Sequence, residues 1–216
     1  ASSTETSPAP RAAPGWTPRL GEALPLAAPF VDESGRTIAL GELFGQRPVA
    51  LVLGYYRCPN LCTTLTEGVL ETLRESALPA GSYEVVAVSI DPAEDATIAA
   101  RRKAAYGPWL RDTAAHVHLL TGTAGSIAAL VQAAGLRYSV EESHRSVESS
   151  RVSVETRHAA QDARAFAHPA GFLVITPQGR IAQYFPGVRF ERLDDDASHM
   201  QPGDGAPTGS GPMQRR

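Results

Sequence analysis

Two cysteines, Cys58 and Cys62, are the only sulfhydryls in this chain of 216 residues. On a helix, positions i and i+4 share one face with Cβ atoms about 5–6 Å apart, so the two sulfurs are expected to converge. Both lie in "LVLGYYRCPNLCTTLTEGVL", residues 51–70, behind an apolar run. Pro59 is of the type favoured at the first helical position, which makes Cys58 the expected N-cap and puts Cys62 one turn further in. There both sulfurs feel the positive end of the helix dipole, which favours the thiolate, a nucleophile and a soft-metal ligand. A disulfide staple and a pair of small buried hydrophobes are the plainer readings. A staple closing so short a loop removes little unfolded-state entropy, and a strand-to-helix turn at the end of a mostly parallel sheet is where α/β folds place reactive groups. A working pair is therefore preferred.

If the pair holds a metal it needs a third ligand, and six histidines form the pool. His116 and His118 alternate on a predicted strand, share one face and could chelate, although a solvated edge is the commoner outcome. His144 and His158 fall in a polar stretch and His199 in the polar C-terminal region, where surface residence is the default. In "FAHPAGFLVI", His168 stands immediately before a predicted strand, and Pro169 pushes its backbone toward extended geometry, so the imidazole has a stiff approach.

The elements that must position these groups follow from periodicity. "PFVDESGRTIAL" reads as two short strands around a turn at Glu33-Ser34-Gly35. "RPVALVLGYY" (47–56) is a continuous apolar run suited to a strand covered on both faces, and it leads into Cys58. Leu61, Leu65, Val69, Leu70 and Leu73 recur at helical spacing, and "PAGS" ends that helix. "YEVVAVSI" (83–90) follows as a strand, Asp95 caps a helix running to about Tyr106, "HVHLL" is a strand, and "AGSIAALVQAAG" is a helix ending at Gly135. Residues 139–165 read as a long polar loop, and "GFLVITPQGRIAQYF" as two strands joined at Pro177-Gln178-Gly179. The alternation is βαβ grammar, hence an α/β fold. The expected organisation is a flexible segment over 1–23, one domain over 24–193 and a disordered tail over 194–216.

A formal charge of −3 with scattered Lys and Arg gives no basic footprint for nucleic acid. No run approaches the roughly 18 apolar residues that a membrane helix needs. The Pro/Ala/Ser-rich start, "ASSTETSPAPRAAPGWTP", is the kind of segment that follows a removed signal or anchor, so a periplasmic or other extracytoplasmic location is expected.

"YYRCPNLC", "VSIDPAEDA", "HLLTGTAGSIAALVQAAGLRYSV" and "HPAGFLVITPQGRIAQYF", in that order over about residues 24–190, resemble the Sco/SenC family of copper-binding proteins that assist cytochrome c oxidase assembly. The resemblance implies a thioredoxin-like fold, a central mixed sheet flanked by helices with an N-terminal hairpin. It carries the family's copper ligands to Cys58, Cys62 and His168, and implies Cu(I), with Cu(II) as a second state. It also implies the copper-binding subunit of cytochrome c oxidase as partner, a thiol reductant or another copper carrier as further partners, and an inner-membrane tether outside this chain. Asn60 and Thr63 stand where many relatives have an acidic residue and a proline. Two thiolates and an imidazole suit Cu(I) and leave the ion open to an incoming ligand, whereas structural zinc would normally want four closed ligands. Asp91 is expected at a strand end beside the site, Asp95 as a helix cap, and Tyr55 and Tyr56 as walls of the pocket. The same cysteines allow a second reading, a thiol–disulfide oxidoreductase, for which His168 would be dispensable. A thiol peroxidase is the third.

Overall fold

The computed structural model describes residues 13–58, 61–76, 78–79, 81–110, 116–141 and 165–187, the side chains of 61–63 and 141 excepted. The described residues open with β1 (Gly15–Trp16) and a hairpin of β2 (Pro29–Val31) and β3 (Thr37–Ala39). A strand–helix series follows: β4 (Val49–Gly54), α1 (Leu61–Glu75), β5 (Glu84–Ser89), α2 (Ala96–Ala105), the short α3 (Gly107–Leu110), β6 (Val117–Leu120) and α4 (Ala124–Ala133). After it come β7 (Leu136–Arg137), β8 (Ser139–Glu141), β9 (Ala165–Ala167), β10 (Gly171–Ile175) and β11 (Ile181–Pro186). A five-stranded mixed sheet has the order β11-β10-β4-β5-β6, with β4, β5 and β6 parallel and β10 antiparallel to both of its neighbours. With helices on the sheet and the hairpin at its start, this is the thioredoxin-like α/β architecture expected from the sequence.

The central strand β4 is buried at every residue, because side chains alternate between two covered faces. Leu51 and Leu53 join Phe30, Ile38, Val86, Val88, Leu120, Ile127 and Leu130 on one face. Ala50 and Val52 join Leu65, Val69, Leu73, Val85, Ala87, Ala99 and Leu119 on the other. Burial on both faces explains why the sequence of β4 shows no polar alternation. Its C-terminal end is thereby fixed, and the chain leaves it directly toward Cys58.

Two departures from the sequence reading stand out. The polar stretch 139–165 was expected as loop, but its two ends are strands: Ser139, Val140 and Glu141 pair antiparallel with Ala167, Phe166 and Ala165. Three residues are too few for alternation to register, and the pairing is set by distant packing of Phe166 rather than by local propensity. Contacts of the folded unit also reach back to Gly15, where β1 pairs with β7 and Trp16 meets Tyr184 with ring centroids 5.7 Å apart. Residues 142–164 and 188–216, which include His144, His158, His199 and the expected tail, lie outside the described residues.

Candidate metal centre

Residues 55–58 connect β4 toward α1, and three kinds of contact hold them. Tyr56 is buried: its hydroxyl lies 3.0 Å from the Ala87 carbonyl and 2.8 Å from that of Leu120, and burial raises its pKa well above the ordinary phenol value. The Tyr56 and Arg57 amides donate to the two oxygens of Glu94 at 2.7 and 2.6 Å. Arg102 on α2 donates to the Tyr56 carbonyl. Cys58 itself is 8% exposed and packs in the same apolar cluster as Tyr55 and Phe166. Cys62 is the second residue of α1, at the end where the helix dipole is positive; its side chain, with Pro59 and Asn60, lies outside the described residues. The expected N-cap role of Cys58 hinges on those two residues and stays an expectation.

His168 follows β9 directly. Pairing with β8 swings Phe166 into the core, and its ring lies 5.0 Å from that of Tyr55. The imidazole two residues on meets the same tyrosine edge-on, centroids 6.0 Å apart. Tyr55 is therefore a buried hub touched by the late strand on one side and lying three residues before Cys58 on the chain. Nδ1 of His168 sits 3.1 Å from the Pro169 carbonyl, which only accepts, so in the neutral ring the proton is on Nδ1 and the lone pair on Nε2. Burial pushes the imidazole pKa below its ordinary value, against the opposing hydrogen bond to Pro169. A neutral imidazole with a fixed tautomer is the form that ligates metal.

The remaining sequence candidates have other work. Asp95 is the N-cap of α2, accepting from the Ile98 amide at 3.0 Å. Asp91 is buried just past β5 and accepts from Ala93 at 2.9 Å, a local turn contact. His116 stands just before β6 rather than on it, His118 lies within it, and both turn to Glu84: Nδ1 of His116 is 3.1 Å and Nε2 of His118 is 3.5 Å from its oxygens. Arg47 adds a third contact to Glu84 at 2.8 Å, so this cluster is an Arg47–Glu84 ion pair flanked by two imidazoles at the starts of β5 and β6, the end of the sheet opposite the cysteine loop. Among the described residues no group of three or more His, Cys, Asp or Glu is arranged to hold a metal. The trio proposed from sequence includes the Cys62 side chain, which those residues do not cover. Glu94 was missed: it lies inside the quoted "VSIDPAEDA", but nothing in the pattern marks which of three neighbouring acids reaches the Tyr56 and Arg57 amides.

The geometry defines a class of protein: a thioredoxin-like domain with a buried thiol at the turn out of its central strand and a neutral, tautomer-fixed histidine brought beside that turn by a late strand. Comparison with solved structures gives the same fold. A protein of Aquifex aeolicus VF5 is 20% identical over 83% of this chain and 92% of that one, with a TM-score of 0.63. A SCO1/SenC family lipoprotein from Bacillus anthracis is 14% identical over 82% and 92%, with a TM-score of 0.57. Bradyrhizobium japonicum ScoI with copper bound is 20% identical over 83% and 97%, with a TM-score of 0.53. Curated proteins gave no match. Residues 26–193 match the SCO1/SenC family, and the chain belongs to it. Among the described residues no helix is long and apolar enough to cross a membrane.

Proposed function

We propose that this protein is a copper metallochaperone that carries one copper ion on Cys58, Cys62 and His168 and hands it to the binuclear copper site of cytochrome c oxidase, in an extracytoplasmic compartment. The observation that carries the reading is the Tyr55–His168 ring contact, which brings an imidazole from late in the chain beside the segment that ends in Cys58. Family membership and copper in the Bradyrhizobium relative support it, and the Bacillus lipoprotein supports the compartment. Copper is cargo here rather than a resident cofactor. Two thiolates and a neutral imidazole are soft to borderline donors, and three ligands leave the ion open to a partner's incoming sulfur or nitrogen, so transfer proceeds by stepwise ligand exchange with no electron moved. Burial of Cys58 among Tyr55 and Phe166 suits a shielded ligand better than a thiol presented to a partner's disulfide.

Anaerobic Cu(I) titration against a competing chelator tests the assignment. One ion per chain is expected, and Cys58→Ser, Cys62→Ser and His168→Ala should each weaken binding by more than the roughly 10–100-fold typical of changes in outer-shell partners. A His168→Ala protein that binds Cu(I) as tightly as the parent would remove the histidine from the site.

A further inference from the structure

Glu94 is 4% exposed, and a buried carboxylate is costly unless its oxygens are taken up by donors. Here they are: besides the Tyr56 and Arg57 amides, the Ser89 hydroxyl donates to Oε2 at 2.6 Å. The cap of α2 is supplied by Asp95, so Glu94 is not needed to start that helix. Its two amide partners belong instead to the connection running into Cys58. The peptide unit between Tyr56 and Arg57 is held at both ends, its N–H by Glu94 and its C=O by Arg102. Hydrogen bonds to an ionised acceptor are short and about twice as strong as neutral ones, and a loop held this way cannot rotate that peptide without taking the Arg57 amide from Oε1 of a buried carboxylate.

We propose that Glu94, with Arg102, is a positioning residue for the metal centre: its buried carboxylate fixes the Tyr56–Arg57 peptide so that the segment leading into Cys58 is held in place before metal arrives. The inference rests on the copper reading for its purpose but not for its test. In Glu94→Gln one side-chain oxygen remains for two amides, and the new NH₂ group opposes the other donor, so the peptide is released while side-chain volume is kept.

Amide hydrogen exchange of the metal-free protein reads the clamp directly. In Glu94→Gln, the Tyr56 and Arg57 amides are expected to exchange at least about ten-fold faster while those of Val85–Val88 keep the parent's protection, whereas a merely structural role would speed exchange throughout β4 and β5. Cu(I) affinity, measured where both proteins are fully folded by circular dichroism, is expected to fall about ten-fold, and global destabilisation alone does not change the affinity of a folded protein. Parent-like protection of both amides, or an affinity within about two-fold of the parent, overturns the assignment. A parent that takes up no Cu(I) overturns the copper reading alone, and the exchange measurement still decides the clamp. Should Glu94→Gln fail to fold, Arg102→Gln frees the other end of the same peptide, and both readouts are expected to move in the same direction.

Discussion

Asp32, in the turn of the β2–β3 hairpin, and His168, beside the thiol loop, titrate away from their ordinary values for separate reasons. Burial raises the Asp32 pKa, but the Ser34 hydroxyl at 2.6 Å, the Arg36 amide at 3.0 Å and the Arg36 guanidinium at 3.1 Å outweigh it and bring the value to about 2 from 3.8. The native state therefore holds stability that is fully present above the unfolded pKa and disappears as pH falls through 3.8 toward 2, a contribution of about 2 kcal/mol. His168 and His118 act higher on the scale. Burial lowers both imidazole pKa values, so below an ordinary value of about 6.5 the unfolded chain takes up protons first, and stability is lost as pH falls. Urea midpoints against pH should thus decline in two stages, and Asp32→Asn should shrink the lower one at the expense of stability at neutral pH, leaving the part due to Glu33, whose pKa, raised by burial, is brought below its ordinary value by Lys103 and the Leu119 amide. A profile whose lower stage is undiminished by that substitution would assign the acid sensitivity elsewhere.

Much of the element layout can be read from the chain because local signals and packing agree. The unbroken apolar run of β4 reflects two covered faces, and Asp95 caps α2 where its position before the helix says it should. Gly135 ends α4 with φ of 67°, and a Cβ there would run into the Thr17 carbonyl, whose own amide donates to Gly135 at 2.7 Å. Gly135→Ala combines a left-handed backbone with a clash against backbone, and is expected to cost about 2 kcal/mol or more by chemical denaturation. Unchanged stability would mean that the Thr17 segment yields. What could not be read is the β8–β9 pair, because "SVE" and "AFA" carry too little pattern and find each other only through tertiary packing. Glu94 was illegible for a related reason: Asp91 and Glu94 are buried while Asp95 is exposed, and which acid reaches the cysteine connection depends on which way a turn faces, a property of the assembled sheet.

At the scale of the whole molecule, the proposed site draws on distant parts of one chain that topology joins. Parallel β4 and β5 open toward the cysteine loop, α2 sends Arg102 back to it, and β9 returns from late in the sequence to lay Phe166 and His168 on Tyr55. Residue types and order pointed to a dithiol and a late histidine, whereas the approach of His168 to Tyr55 depends on the antiparallel β10–β4 pairing, which places a late strand against the central one. X-ray absorption at the copper edge of the Cu(I)-loaded protein examines that approach most directly. Two sulfur scatterers and one imidazole are expected, with the imidazole contribution lost and both sulfurs kept in His168→Ala. A spectrum with sulfur neighbours only, the same in parent and variant, would contradict the account.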